Sequence, residues 1–328
     1  MNDLPAHVRS AWGVVQTADS ASMVSGGLSS SRVWKIRAGA SAFALKAHPA
    51  TTMRQERLEQ LHAFQKLLCR TCEFVPQLQK THSGETFIHS DGGFWELSTW
   101  LEGAPVEIDA ATIEHGESAM TALVELHRTS QEHSCCQVQI PAIVERIELI
   151  HRYQKNHLLL TQFNSSNGLL DTQVSLTQLT LRTIRCFTQD ADDLSRQLTS
   201  HQSMSSVFFV LRDIHREHML FSGAKVTGVI DFGAARLDHP LVDLVRLLGT
   251  MFPNSASIRH QLFQAYSEQT QSSMRLSLFQ TLDHASTLLS AMQWVQWLIV
   301  EKKQFPVAVS NLLARWDMLV NRLERNEW

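Results

Sequence analysis

Two aspartates in the second half of the chain stand at the ends of apolar, strand-like segments. Asp213 follows the segment VFFVLR and Asp231 follows KVTGVI, with the turn-like sequence FSGAK between them. A carboxylate at the end of a buried strand is either paired or functional, because burying an unpaired charge is costly. If the two strands are neighbours, both carboxylates point into one space. A cation between them would then balance their negative charges.

This arrangement suits phosphoryl transfer. In that chemistry one aspartate orients or deprotonates the attacking hydroxyl, while the other holds magnesium against the phosphates of a nucleotide. His218, five residues after Asp213, adds an imidazole, which is a softer metal ligand than an oxygen. Three interpretations of His218 stay open: a ligand that favours manganese, a hydrogen-bond donor to a phosphate, or a residue of an enzyme that has lost transfer activity.

The sequence around these residues resembles the aminoglycoside phosphotransferase and choline kinase group of protein-kinase-like enzymes. In that group the catalytic loop reads H-G-D, four residues, then N, followed by a strand, I-D-F-G, D-P and a further Asp. The residues that match this pattern are Asp213, Ile230, Asp231, Phe232, Gly233, Pro240 and Asp243. The residues that depart from it are Leu211, Arg212, His218 and His239.

The resemblance implies an α+β, bilobal protein-kinase-like fold, with a small antiparallel-sheet N-terminal lobe carrying one helix and a larger, mostly helical C-terminal lobe. It implies that Asp213 is catalytic, that Asp231 is the main metal ligand, and that Asp243 accepts hydrogen bonds from the catalytic-loop backbone. His218 is the second candidate ligand, and Arg212 either neutralises phosphate or forms a structural ion pair. The short segment between Asp231 and Asp243 leaves no room for a protein kinase activation segment, so we expect a small-molecule substrate.

The first hundred residues contain the candidate nucleotide-binding groups. By the resemblance, Lys46 contacts the α and β phosphates, and Glu56 on the next predicted helix is a better candidate than Glu59 for its acidic partner. The loop VSGGLSSSR offers backbone amides to a triphosphate, and ELSTWLEG lies where these enzymes hold adenine. The candidate cofactor-binding residues are Lys46, Glu56, Ser25, Gly26, Gly27, Glu96 and Ser98.

Hydrophobic periodicity divides the chain into two predicted domains. Residues 1–101 contain two hairpin-like pairs of apolar segments around one helix, and Asp91, Gly92 and Gly93 are expected to supply positive φ angles for the second turn. Residues 102–328 carry helical apolar stripes, interrupted by β-type residues at 207–233 and by a loop at 164–168. We predict a nucleotide-binding lobe over 1–101 and a helical lobe with the catalytic loop and metal site over 102–328.

Composition narrows the class of protein. The chain has 328 residues, with 29 basic and 32 acidic side chains and a net charge of −3, which argues against a nucleic-acid partner. Its five cysteines indicate a reducing compartment and free thiols. The start has no secretory signal pattern, and no apolar run is long enough to span a bilayer. We expect a cytoplasmic protein without a membrane partner, and its oligomeric state stays open.

The leading hypothesis is an ATP-dependent phosphotransferase that moves the γ-phosphate to a hydroxyl of a small molecule, with Mg²⁺ or Mn²⁺. An aminoglycoside-like compound, an amino alcohol and a sugar are the open substrate classes. The alternatives are a pseudokinase that binds nucleotide or regulates, and a metal hydrolase using Asp213, His215, His218 and Asp231. A polycationic substrate would need acidic side chains, and the available ones are Glu145, Glu148, Asp190, Asp192 and Asp193.

Overall fold

The computed structural model describes residues 4–24, 31–160, 171–305, 307–326 and 328. The predicted phosphate-loop residues Ser25, Gly26 and Gly27, and the predicted loop at 164–168, lie outside the described residues. Contacts divide the chain into a first unit, Met1–Pro105 with Glu217–Gly233, and a second unit, Val106–Arg216 with Ala234–Trp328. The segment 217–233, predicted as part of the second domain, thus packs with the first unit.

The described part of the chain combines strands and helices. The strands are β1 (Ser20–Val24), β2 (Arg32–Ala38), β3 (Ser41–Pro49), β4 (Phe87–Ser90), β5 (Gly93–Thr99), β6 (Cys136–Gln139), β7 (Met204–Val210), β8 (Met219–Ser222), β9 (Lys225–Val229) and β10 (Arg236–Asp238). The helices are α1 (Ala6–Ala11), α2 (Gly13–Gln16), α3 (Gln55–Leu68), α4 (Ile113–Ser134), α5 (Pro141–Leu160), α6 (Asp171–Ser200), α7 (Leu241–Met251), α8 (Ala256–Gln269), α9 (Leu276–Trp294) and α10 (Val309–Arg325).

The first unit is built on an antiparallel sheet with the strand order β1-β2-β3-β5-β4. Helix α3 follows β3, and its stripe at Leu61, Phe64 and Leu68 is buried, as the periodicity predicts. The sequence prediction missed α1 and α2. Val8 of α1 and Trp12, which lies between the two helices, join the apolar core of the sheet. These helices are too short to show a helical period, and their burial depends on a sheet formed later in the chain.

Two neighbouring glycines, Gly92 and Gly93, stand at the turn from β4 to β5, and each is required there for a different reason. Asp91 and Gly92 have φ angles of 50° and 70°, as predicted for a tight hairpin. Gly93 does not share this conformation, because it is the first residue of β5. A Cβ atom at Gly93 would lie 2.4 Å from the carbonyl oxygen of His48, so the close approach of β3 requires glycine there.

A two-stranded hairpin of β8 and β9 completes the first unit. Met219 pairs with Val229, so the residues just before β8 and just after β9 lie at the same end of the hairpin. The amide of Ile230 donates to the carbonyl of His218 at 2.9 Å and extends the pairing by one step. The hairpin thereby brings His218 close to Asp231.

The second unit is mainly helical and contains a small sheet with the order β10-β7-β6. The small antiparallel sheet in the first unit and the larger helical part confirm the predicted division of structure types. None of the helices in the described ranges is both long and apolar enough to cross a membrane. Asp283 on α9 is 1% exposed and forms ion pairs with Arg259 of α8 and Arg322 of α10.

We expect Asp283→Ala to lower the free energy of unfolding by about 3–5 kcal/mol, because it leaves two buried guanidinium groups without their carboxylate. The measurement is urea denaturation followed by circular dichroism. Asp317→Ala is the control, since Asp317 forms a more exposed pair with Arg182 and should cost about 1 kcal/mol or less. Similar losses in the two variants would contradict this account.

Candidate active site

Lys46 and Asp231 meet in the first unit although they are far apart in sequence. Lys46 lies in β3 and Asp231 follows β9. The Lys46 ammonium donates a hydrogen bond to Asp231 Oδ1 at 3.0 Å, across a separation of 185 residues. The structure therefore brings together the lysine and the aspartate that the sequence interpretation assigns to nucleotide and metal.

This ion pair keeps both groups charged. Burial acts to raise the pKa of the Asp231 carboxyl, but attraction by Lys46 and His218, with hydrogen bonds from Lys46 and the Gly233 amide, lowers it to about 2. Burial likewise acts to lower the pKa of Lys46, but the charges of Asp231 and Glu96 outweigh it and raise that pKa. The pair is therefore ionised at neutral pH.

A second carboxylate, that of Glu96, lies beside Lys46. Glu96 is directly opposite Lys46 in the antiparallel pairing of β5 with β3. Directly opposite residues carry their Cβ atoms about 4.5–5.5 Å apart on one face of the sheet. Ser98, two residues further along β5, is on the same face as Glu96.

Two histidines hold the Glu96 carboxylate from both sides. His62 on α3 lies with Nε2 2.6 Å from one oxygen, and His48 on β3 lies with Nε2 3.3 Å from the other. Since an ionised carboxylate only accepts, His62 Nε2 donates to Glu96, and its Nδ1 lies 2.8 Å from the Thr86 hydroxyl. Burial opposes ionisation of Glu96, but these histidines and Lys46 together hold its pKa well below the ordinary value.

Glu56, the predicted acidic partner of Lys46, is exposed at the start of α3. The carboxylates that act on Lys46 are those of Asp231 and Glu96. The inward face of α3 instead presents His62 and Gln65, at helical spacing from Leu58 and Leu61. A histidine within an apolar stripe was the sequence signal that could have identified His62.

Asp231 and His218 are the candidate metal ligands of the first unit. His218 Nε2 lies 3.7 Å from Asp231 Oδ2, the oxygen that Lys46 does not use. One carboxylate oxygen and one imidazole nitrogen fit a divalent cation that takes its other ligands from phosphates and water. No group of three or more His, Cys, Asp or Glu side chains in the described ranges could hold a metal ion by itself, which the metal-hydrolase alternative required.

The catalytic-loop sequence lies in the second unit, after β7, and is held by Asp243. This carboxylate of α7 is 0% exposed and accepts from the amides of Leu211 at 2.8 Å and Arg212 at 2.6 Å. His127 of α4, which the sequence analysis did not identify, lies with Nε2 3.0 Å from the same carboxylate. Asp243 thus makes the backbone contacts that the resemblance implied for it.

Arg212 is engaged in structural ion pairs. Its guanidinium lies 2.6 Å from Glu145 and 3.2 Å from Asp238, and its side chain is 13% exposed. This is the second of the two alternatives that the sequence left open for Arg212. Asp213, the next residue, is half exposed and forms an ion pair with Arg246 of α7 at 3.0 Å, a contact that the sequence analysis did not predict.

Comparison with protein families decides the class of the chain. A model described as the phosphotransferase enzyme family matches residues 20–276. The chain belongs to this family. The predicted resemblance and the predicted enzyme class are therefore confirmed: the chain is a transferase of the small-molecule kinase type. None of the curated protein sequences matches the chain.

Several solved structures share the fold of this chain. A spectinomycin phosphotransferase in complex with ADP and spectinomycin is 13% identical, with a TM-score of 0.68, covering 98% of this chain and 96% of that one. An aminoglycoside phosphotransferase from Alicyclobacillus acidocaldarius is 12% identical, with a TM-score of 0.68 and coverages of 98% and 94%. An amicoumacin kinase in complex with AMP-PNP and Ca²⁺ is 13% identical, with a TM-score of 0.62 and coverages of 97% and 92%. These likenesses confirm the protein-kinase-like fold.

Proposed function

We propose that this phosphotransferase moves the γ-phosphate of ATP to a hydroxyl group of a small molecule. The contact between Lys46 and Asp231 carries the proposal, because it places a buried ammonium beside a carboxylate of pKa about 2 in a chain of this family. The nucleotides in the spectinomycin phosphotransferase and amicoumacin kinase structures support ATP as the donor. A cytoplasmic location fits the need for ATP and the five free cysteines.

In this proposal the side chains of the first unit bind the nucleotide phosphates. Lys46 offers its ammonium to phosphate oxygens, and Glu96 holds that ammonium in place from β5. Asp231 and His218 would hold the divalent cation, Mg²⁺ or Mn²⁺, which neutralises phosphate charge when bound. Ser25, Gly26, Gly27 and Ser98 keep their proposed nucleotide-binding roles, whereas Glu56 is replaced by Glu96.

Asp213 is the proposed catalytic aspartate of the second unit. It accepts the proton of the acceptor hydroxyl while the hydroxyl oxygen bonds to the γ-phosphorus and the bond to the β,γ-bridging oxygen breaks. Asp243 fixes the backbone of the two preceding residues and so orients Asp213. The proposed role of Arg212 is to position this loop through Glu145 and Asp238.

Asp213→Ala should lower transfer by about a hundredfold or more, the usual contribution of a general base. ATP affinity should stay within about twofold, because the proposal assigns ATP binding to side chains of the first unit, whereas Asp213 belongs to the second. ADP release in the presence of acceptor and fluorescence titration with ATP are the two measurements. Asp193→Ala removes an exposed carboxylate paired with Arg196 and should change neither. Unchanged turnover in Asp213→Ala would refute the role of Asp213.

Glu96→Gln should lower kcat/KM for ATP by about tenfold, because it removes the charge opposite Lys46 while keeping the side-chain shape. The control is Glu56→Gln, which neutralises the acid that the sequence predicted as the partner of Lys46. This substitution should leave kcat/KM unchanged. Steady-state kinetics and thermal unfolding of both variants separate a catalytic loss from a folding loss. A larger effect of Glu56→Gln than of Glu96→Gln would exclude Glu96 as the partner of Lys46.

If Glu96→Gln does not fold, an exchange of the side chains at positions 62 and 96 tests whether Lys46 needs an acidic partner. The double variant His62→Glu, Glu96→His keeps one acid and one imidazole between α3 and β5. We expect it to regain part of the activity that Glu96→His loses, because the acid again lies near Lys46. Activity no better than that of Glu96→His alone would mean that the acid must stand on β5.

His218→Asn should raise activity with Mg²⁺ several-fold relative to activity with Mn²⁺, because an amide oxygen is a harder ligand than imidazole. The ratio of kcat/KM with the two metals is the measurement, and it is insensitive to changes in the amount of folded enzyme. His151→Asn alters an exposed histidine on α5 and serves as the control. An unchanged metal ratio in His218→Asn would show that His218 is not a metal ligand.

A further inference from the structure

The acidic side chains that a polycationic acceptor would need are largely engaged by groups of the protein itself. Glu145 pairs with Arg212 and Arg236, both at 2.6 Å. The other engaged carboxylates and their partners are Asp190 with His284, Asp192 with Gln154, and Asp193 with Arg196 and Gln197. Of the five candidate carboxylates, Glu145 and Asp193 have their charge balanced by arginines, which makes these two poor sites for an ammonium group.

Arginines are grouped near the catalytic loop. Four of them come from separate segments: α5, the catalytic loop, β10 and α7. They are Arg146, Arg212, Arg236 and Arg246. Three carboxylates, those of Glu145, Asp213 and Asp238, form ion pairs with members of this group. A fourth, that of Asp243, accepts from the backbone of the loop.

Arg146 is the member of the group without a carboxylate at ion-pair distance among the described contacts. Its guanidinium donates to the Ala142 carbonyl at 3.1 Å and to the Ser286 hydroxyl at 2.9 Å. Burial, with repulsion from Arg212 and Arg246 and against the attraction of Asp238, lowers its pKa to about 10. Arg146 thus remains charged at neutral pH and adds a positive charge to the group.

Arg246 brings this positive charge to the proposed reacting group. Its Nε and Nη2 atoms lie 3.1 Å and 3.0 Å from Asp213 Oδ1. An acceptor hydroxyl must approach an oxygen of Asp213 to about 2.6–3.2 Å for proton transfer. Any acceptor bound in this way is adjacent to the Arg246 guanidinium, which is 36% exposed and able to contact it. A carboxylate or phosphate of the acceptor can form a bidentate pair with this guanidinium, whereas a cationic group cannot.

We propose that the acceptor of this phosphotransferase carries an anionic group, a carboxylate or a phosphate, close to the hydroxyl that is phosphorylated, and that Arg246 recognises it. This inference rests on the proposed function and specifies its substrate class. Arg236, which is 49% exposed, is the second guanidinium of the group that an anion can reach from solvent. Hydroxy acids, sugar acids and sugar phosphates fit this description, and amino alcohols and aminoglycosides do not.

The test uses acceptors that match in skeleton and differ in charge. One series is glycerate, glycerol phosphate, glycerol and aminopropanediol, and the other is gluconate, glucitol and glucamine. ADP formation with ATP and metal is measured for each compound, and binding is measured in parallel as a shift in unfolding temperature. We expect the anion to give the highest kcat/KM and the largest shift in at least one series. Glycerate and glycerol phosphate distinguish a carboxylate from a phosphate as the recognised group.

Substitution of Arg246 shows whether this side chain recognises the anionic group of the acceptor or acts equally on all acceptors. Arg246→Gln should lower kcat/KM for the preferred anion about tenfold more than for the neutral compound of its series, and Arg246→Lys should restore part of that difference. Arg196→Gln removes an exposed arginine on α6 and should leave the ranking unchanged. An equal loss for charged and neutral acceptors would assign Arg246 to the transferred phosphate and overturn the proposal.

The remaining outcomes are also decisive. A preference for aminopropanediol or glucamine, or the absence of any anion preference in both turnover and binding, would overturn the inference while ATP binding keeps the proposed function intact. Failure of the wild-type protein to bind ATP would reject the proposed function itself. The two failures are thus distinguishable in one set of measurements.

Discussion

The ion pair between Lys46 and Asp231 is the interaction on which the candidate site depends. A lysine on a central strand loses hydration, and burial alone would lower its pKa. Two carboxylates reverse that effect, one from the hairpin of β8 and β9 and one from the neighbouring strand β5. Because β3 is paired on both sides, by β2 and β5, the ammonium group is attached to a rigid part of the sheet. The hairpin can therefore place Asp231 against a fixed partner.

The sequence predicted Lys46 and Asp231 as members of the site, but it did not predict that Glu96 is the second acidic partner of Lys46. Asp231 was recognisable because an acid at the end of an apolar strand, before Phe-Gly, has few structural explanations, and Lys46 followed from its position relative to that motif. Glu96 was predicted only as part of the segment that holds adenine, because its contact with Lys46 depends on the register of β3 with β5. That register is a long-range contact, set by sheet assembly rather than by local pattern. The helical period of α3 correctly predicted the buried stripe, and it places His62 beside that stripe. It could not show that His62 contacts Glu96, because this contact joins α3 to β5.

The departure of the catalytic loop from the family pattern also has a structural basis. Arg212 stands where the related enzymes have glycine, and its φ angle is 64°, a left-handed conformation that glycine adopts without strain. An arginine there costs conformational energy of about 1–3 kcal/mol. The hydrogen bond from the Arg212 backbone amide to Asp243 and the ion pairs of its side chain with Glu145 and Asp238 offset that cost. The substitution thus keeps the backbone shape and adds a positive charge that glycine does not have.

The two aspartates of the motif differ in how firmly each is held, and this difference suits their proposed roles. Asp231 is bound by a largely buried lysine, a backbone amide and a nearby histidine, so its position and its charge are fixed. Asp213 is half exposed, and its pair with Arg246 is open to solvent. Exposed ion pairs contribute about 0–1 kcal/mol, so an acceptor hydroxyl can displace part of this contact at little cost. A metal ligand benefits from a fixed carboxylate, whereas a base that must exchange its partner for a substrate benefits from a weak one. If the acceptor is an anion, the guanidinium that releases Asp213 gains a new carboxylate or phosphate as its partner.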